Sequence, residues 1–403
     1  MLTRTPSPDQ SLAIAKIKEG SSRYSILTAG PGYGKSYVVQ SAYEEGVPII
    51  KTSTTGISAI NIGGCTINSL LGYFDSNDMC KKHDAGRIYE ALKRFVGKTI
   101  VVDEVSMLSA AQFQILVLNN ERLWTSTGTG VSFLFVGDFG QLPPVKEAPA
   151  FESNLWQYVE QLTLSQVHRT SDLEFINALR ALRVGDSRAA LPYFNTLGFH
   201  RDIDMEFEGT TLYALNDGAR VHNEYSLAKL KGESKYYYPI KEGDPLPEWK
   251  NIPDPLELKL GALVILRSNA WEQGYANGDQ GYVVAMGPNH VEVELLRGGT
   301  VSVTETCIKH KTSSKVGKIT YLPILLAYAL TTHKAQSLSI EHLQVVLDDP
   351  HNSKNLGFMG RCHGMAFMGV SRATKPDNLR LVGDGSAFIN ACHCDSRYLP
   401  YIR

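Results

Sequence analysis

The 403-residue chain predicts an α/β fold: two parallel-sheet units in tandem, the first interrupted by a small insertion and the second by an all-β one. Three observations carry this. A buried strand, a Gly-rich loop and a helix follow one another over residues 24 to 42. The strand-helix rhythm restarts at Leu162 and returns at Leu322. Between those points, residues 258 to 308 show short alternating runs broken by Asn277-Gly278 and Gly298-Gly299, which are hairpin turn signals. A chain this long exceeds one ordinary core, and 43% apolar residues suffice to bury two or three.

In chain order, Ser7-Pro8-Asp9-Gln10 has the form of a capping box opening a helix with Ala13, Ile14 and Ile17 on one face. Gln10 either closes that cap or clamps the two edges of adenine with its amide, and the two roles are compatible. Tyr24 to Thr28 then reads as a strand, Ala29-Gly30-Pro31-Gly32-Tyr33-Gly34-Lys35-Ser36 as the loop, and Tyr37 to Ala42 as a helix. In that context backbone N–H groups close around phosphate oxygens, the lysine reaches the outer phosphates and the hydroxyl holds magnesium. The loop departs from G-x-x-x-x-G-K-[ST] at Ala29, so its first position must keep a φ that a Cβ tolerates.

Val47 to Thr52 is the next predicted strand, running into Ser53-Thr54-Thr55-Gly56-Ile57-Ser58-Ala59. Its hydroxyls suit either a sugar-phosphate backbone or helix capping. Residues 65 to 95 leave the rhythm and read as a small insertion. Lys98 to Val102 ends in Asp103-Glu104, where one carboxylate can hold magnesium through water and its neighbour can polarise the attacking water. Val131 to Val136 ends in Gly137-Asp138-Phe139-Gly140-Gln141-Leu142-Pro143-Pro144. Leu162 to Val167 is read as a strand ending at His168-Arg169 that opens the second unit. A helix over Leu173 to Leu182 and strands at Thr210 to Leu215, Leu343 to Leu347 and Leu379 to Val382 complete that unit. The prolines between 239 and 255 rule out continuous helix or central strand there.

The charge nearly cancels, 40 Lys and Arg against 41 Asp and Glu, which excludes a generally basic nucleic-acid binder but not a basic groove. Six cysteines without a C-x-x-C pair argue against a zinc ribbon or a disulfide framework and for a reducing compartment. Cys392-His393-Cys394 would need further partners to hold a metal, and incidental thiols are the alternative. With no signal-peptide pattern and no apolar run of membrane length, a soluble intracellular protein is expected.

Taken together, AGPGYGKS, STTGISA, DEVSM, GDFGQLPPV, LSQVHRT, TTHKAQSLS and GVSRAT resemble the ordered motif series of superfamily 1 helicases of the Pif-type, RecD-like and Dda-like group. The resemblance runs from residue 7 to about 383. It implies two RecA-like P-loop domains with ATP between them and single-stranded DNA across both, 5′ to 3′ movement, and duplex or forked DNA as substrate. It also implies a wedge insertion in the first domain and a β-barrel insertion in the second. The corresponding boundaries are 1–64 and 96–161 for the first domain, 65–95 for the wedge, 162–235 and 322–403 for the second domain, and 236–321 for the barrel.

Carried onto matching positions, the resemblance implies that Gln10 reads adenine and that Gly30, Gly32, Tyr33, Gly34, Lys35 and Ser36 hold the nucleotide. Ser36 and Asp103 would hold Mg2+, Glu104 would be the general base, Gln141 would sense the γ-phosphate, and Arg169 and Arg372 would act as arginine fingers. A surface ion pair is the plainer role for either arginine. Thr54, Thr55, Asn68, Ser69, Asn277, Thr332 and His333 lie in blocks that line the DNA path of relatives. Asn68 stands where the family has histidine and Ser337 where it has glycine. Tyr73 and Phe74 are wedge candidates, with a local aromatic cluster as the alternative, and His333 is a DNA contact or a core histidine. The expected activity is an ATP- and Mg2+-dependent DNA helicase serving replication, repair or recombination, working as a monomer with replication or recombination proteins as partners. A nucleotide-gated DNA-binding remodeller and an RNA helicase are the alternatives; the compact form is similar to phage-encoded members.

Overall fold

The computed structural model describes residues 5–168, 172–245, 249–250, 252–268, 270–275, 277–311, 316–336, 338–348 and 362–402. Two all-parallel sheets organise it. The first has six strands in the order Cys65–Thr66, Ile49–Ser53, Thr99–Asp103, Ser132–Gly137, Tyr24–Thr28, Glu160–Thr163. The second has five, Ala329–Thr331, Thr210–Tyr213, Leu343–Val346, Leu379–Val382, Phe199–His200. Central strands such as Ser132–Gly137 are buried on both faces, which is why they read as unbroken apolar runs rather than alternating ones. This is the tandem P-loop α/β architecture expected from the sequence.

Several details differ from the sequence reading. The strand expected to open the second unit is Glu160–Thr163, and it pairs in parallel with Tyr24–Thr28 as the sixth strand of the first sheet. Beyond it, Leu164 N–H reaches Thr28 O over 3.1 Å and His168 N–H reaches Gly32 O over 2.8 Å, so this segment runs along the phosphate loop. Residues 65 to 95 are built into the first core. Helices Ile67–Leu71, Ser76–Asp84 and Arg87–Lys93 bury Ile67, Leu71, Met79, Ile88 and Leu92 there.

The all-β segment is antiparallel throughout, but its described strands divide into sheets of five, three and two. The five-stranded sheet extends to Ile324–Leu326, past the expected boundary, because that strand pairs with Leu263–Leu266. The chain's last turn is a second surprise. After the helix Gly385–Ala391, which packs in the second core, Tyr398 and Ile402 are buried in the first core. Tyr401 stacks on Phe151 with ring centroids 4.2 Å apart, so apolar aromatic burial outweighs proximity in sequence. Among the described residues no helix is long and apolar enough to cross a membrane.

Candidate active site between the two sheets

The loop expected to cradle phosphate leaves the first sheet at Thr28 and enters the helix Lys35–Glu44. Gly34 sits at φ 84°, a backbone angle that favours glycine, and Gln10 Nε2 would lie 2.4 Å from a Cβ there. Ala29 causes no strain: among the described residues only Glu104 and Lys146 combine a side chain with positive φ. Lys35 folds back, donating to Ala29 O at 2.8 Å and Gly30 O at 3.0 Å. Burial pulls its ammonium below the usual lysine range, while Asp138, Glu104 and Asp103 act the other way.

Asp103 ends its strand and Glu104 turns the chain at φ 54°, a left-handed conformation unusual for a side-chain-bearing residue. Glu104 is buried and lines the crevice. Thr54 Oγ1 donates to its carbonyl over 2.8 Å. Burial pushes the Asp103 carboxyl up to about 7, reinforced by the Glu104 charge and opposed by the Glu104 N–H, Lys35 and Ser58. Gln141 is buried, and its Oε1 has no hydrogen-bond partner. A buried amide oxygen left open in this way marks a place where a ligand is wanted.

These groups meet. A crevice of about 320 Å³ is lined by Lys35, Ser36, Asp103, Glu104 and Gln141 from the first sheet and by Ser339 and Arg372 from the second. Arg372 is almost fully buried, and its guanidinium donates to Met368 O, Leu338 O and Ser371 Oγ. Burial pulls it down to about 10, against the opposing attraction of the Glu104 and Asp138 carboxylates. Arg169 lies outside the described residues, as does Ser337. The donor set suits magnesium, which keeps most of its water and takes one or two protein ligands plus phosphate oxygens rather than a full protein cage. A hydroxyl and a carboxylate beside a phosphate loop are such a set. Among the described residues no group of three or more His, Cys, Asp or Glu forms a cage.

Gln10 has both of its expected sides engaged: Oε1 accepts the Ser7 N–H at 3.1 Å and Nε2 donates to Tyr33 O at 3.1 Å. It therefore braces the phosphate loop and does not line the crevice. Tyr33 folds its ring over Gly30.

Of the residues expected along DNA, Thr54 and Thr55 keep their hydroxyls for Glu104 O and Ser58 N–H. Asn68 donates to Phe74 O at 3.0 Å. Ser69 is buried, its hydroxyl accepting from Thr66 in a helix cap, and Thr332 is fully buried with Oγ1 on Tyr213 O. Those two positions are structural, because neither side chain reaches the surface. His333 is exposed, which removes the core-histidine alternative, and Asn277 is half-buried. Tyr73 is 3% exposed and belongs to the first core, so it is no wedge, whereas Phe74 is 57% exposed.

Two site residues carried no signal in the sequence. Asp9 accepts from Ser165 N–H at 2.7 Å and Gln166 N–H at 3.2 Å, pinning the segment that leads to His168. Arg183 forms a partly buried ion pair with the fully buried Asp138, 45 positions away.

The profile of the AAA domain family matches residues 5–204. The chain is 30% identical over 437 aligned residues to the ATP-dependent DNA helicase Pif1 of Campylobacter jejuni, covering 94% of each. It is 26% identical to human ATP-dependent DNA helicase PIF1, spanning 98% of this chain and 63% of the human protein. In fold it resembles the crystal structure of Pif1 helicase from Candida albicans, at a TM-score of 0.72 and 23% identity over 99% of both chains. It also resembles Bacteroides sp. Pif1 in complex with ADP-AlF4, at 0.74 and 21% over 96% of both. With that identity to the Campylobacter helicase over nearly the full length of both chains, and an ATP-type crevice between its sheets, this protein belongs to the Pif1 family of ATP-dependent DNA helicases.

Proposed function

We propose that the protein is a magnesium-dependent motor that moves 5′ to 3′ on single-stranded DNA and opens duplexes or forks ahead of it. The observation that carries this reading is the crevice itself: Lys35, Glu104 and Gln141 on one lobe face Arg372 on the other across a single space. Lys35 exchanges its loop carbonyls for the β- and γ-phosphates. Ser36 and Asp103 hold magnesium, which when bound neutralises phosphate charge. Glu104 takes the proton of the attacking water, Gln141 contacts the γ-phosphate, and Arg372 spreads charge off the transferring phosphoryl group. Arg169 is proposed as a second finger on the strength of its motif. Loss of the γ-phosphate removes what the arginine binds, so the lobes part and re-close with each turnover.

Relatives support the DNA side. A Bacteroides Pif1 structure is bound to single-stranded DNA, and a further Pif1 structure concerns unwinding of forked duplex DNA by two coordinating helicases. For this chain His333, Thr54, Thr55, Asn68 and Asn277 remain the proposed contacts, and Phe74 the proposed wedge. A role in replication, repair or recombination follows from strand separation.

The test measures ATP hydrolysis with and without single-stranded DNA or RNA, with and without magnesium, beside unwinding of duplexes carrying a 5′ or a 3′ tail. DNA-stimulated, magnesium-dependent hydrolysis and unwinding from 5′ tails are expected. Lys35→Ala should abolish hydrolysis, and Glu104→Gln should lower kcat by about 10²- to 10⁴-fold, the range of a lost general base. Hydrolysis indifferent to nucleic acid would remove the motor, and unwinding only from 3′ tails would reverse the polarity.

A further inference from the structure

The loop carrying Gln141 is held by both lobes, with Phe139 packed against Phe151 and Trp156 in the first core. It leaves the first sheet at Gly137, and its next residue, Asp138, is completely buried. The Asp138 carboxylate accepts the Gly140 N–H at 2.8 Å while the Asp138 carbonyl accepts the Gln141 N–H at 3.0 Å, so this one residue folds the turn that presents Gln141. Leu142, immediately after Gln141, is buried in the second lobe's core.

Arg183 closes the arrangement. It ends the helix Leu173–Arg183, whose Phe175, Ala178 and Leu182 are anchored in that second core. Its guanidinium meets Asp138 as a fork, Nε at 3.0 and 3.2 Å from the two carboxylate oxygens and Nη2 at 2.6 Å from Oδ1. Nη1 donates to Ile402 O over 2.5 Å, on the chain's last turn. The side chain lies flat over the loop, where a Cβ on Gly140 would stand 2.7 Å from Arg183 Cγ. His363 adds a further tie, with a ring nitrogen 2.7 Å from Phe139 O.

An ion pair with one fully buried partner is weak evidence for stability, since desolvation offsets its attraction. What a fork between two separately anchored lobes does supply is geometry. We propose that Arg183 is a positioning residue that couples lobe closure to Gln141: with the lobes together it braces Asp138 and the Gln141 turn, and when they part the brace is withdrawn. Hydrolysis is then permitted only in the closed state. This rests on the reading of Gln141 as the γ-phosphate contact.

The test compares the full chain with Arg183→Gln, Arg183→Lys, Asp138→Asn and the double variant R183Q/D138N, reading kcat and KM for ATP at saturating single-stranded DNA together with the melting temperature. Misplacing a catalytic group by an ångström costs about 10²-fold, so R183Q and D138N should each lower kcat by about that factor while KM moves less than about threefold. The double variant should be no slower than either single one, because both remove the same link. R183K, which keeps the charge but not the fork, should recover only part of the rate. A merely structural Arg183 would lower the melting temperature and leave kcat within about threefold of the parent; that result, or losses that multiply in the double variant, overturns the proposal. Should R183Q fail to fold, R183K and D138N decide the question by the same kcat and KM criterion. A parent that hydrolyses no ATP sinks the functional reading and this inference with it, whereas an active parent with an indifferent R183Q sinks this inference alone.

Discussion

Thr54 Oγ1 donates to the Glu104 carbonyl over 2.8 Å, tying the hydroxyl-rich block after the second strand to a residue held at φ 54°. The strained backbone aims the proposed general base, and the threonine holds that backbone in place. Thr54→Val keeps the shape and deletes the donor, which should cost about 1 kcal/mol of stability. Because the base would be misaimed, kcat should fall by about tenfold or more with little change in KM. Steady-state kinetics beside urea unfolding checks this, and an unchanged kcat would leave the Thr54–Glu104 bond with no part in aiming the base.

Arg372 lines the same crevice as Glu104, with its guanidinium on two backbone carbonyls and a neighbouring hydroxyl. As an arginine finger, its removal in Arg372→Ala should lower turnover by about 10³-fold, the low end for such groups. Affinity for a non-hydrolysable ATP analogue should drop by about tenfold at most, since the developing charge is absent from the ground state. Equal losses in rate and affinity would contradict the assignment.

The two aromatics of the insertion separate cleanly. Tyr73 is buried with its hydroxyl unpartnered, so Tyr73→Phe should be neutral or slightly stabilising, and Tyr73→Ala should cost about 3–5 kcal/mol as a core truncation. Phe74→Ala should leave stability within about 0.5 kcal/mol, as exposed substitutions do. If Phe74 splits the duplex, that variant should unwind more slowly at an unchanged DNA-stimulated ATPase rate. Unwinding at the parent rate would end its candidacy.

Asp9 supplies a pH signature. Partial burial raises its carboxyl, but hydrogen bonds from Ser7, Ser165 and Gln166 outweigh this and hold it well below the usual carboxylate range. A depressed folded value means the unfolded chain binds the proton first. Its contribution is therefore complete above the unfolded value of about 3.9 and is lost as pH falls toward the folded one. Near pH 7, Asp9→Asn should be less stable by about 1–2 kcal/mol, and the gap to the parent should close progressively below about pH 4. Urea unfolding across that range is the measurement, and a gap independent of pH would assign the effect to something other than the carboxylate.

What could be read directly from the residues was local. Gly34 with Lys35, and the carboxylates of Asp103-Glu104 at the end of an apolar run, announce themselves because their chemistry depends on neighbours within a few positions. The strands over Tyr24–Thr28 and Leu379–Val382 have the expected bounds for the same reason. Periodicity does not say which sheet a strand joins, so Glu160–Thr163 read as the start of the second unit although it pairs beside Tyr24–Thr28 in the first. Nor does residue type say which hydroxyls and rings are turned inward: Ser69, Thr332 and Tyr73 are buried because helices and strands from elsewhere cover them.

The amino-acid sequence alone thus determined the class of fold and the phosphate loop, and it singled out Lys35, Glu104, Gln141 and Arg372, which line one crevice. Only the tertiary structure decided that Arg183 braces Asp138 and that the last turn, 219 positions beyond Arg183, closes over the first lobe. Those contacts join elements from separate cores, and their partners are selected by packing in space, for which a one-dimensional pattern holds no spacing rule.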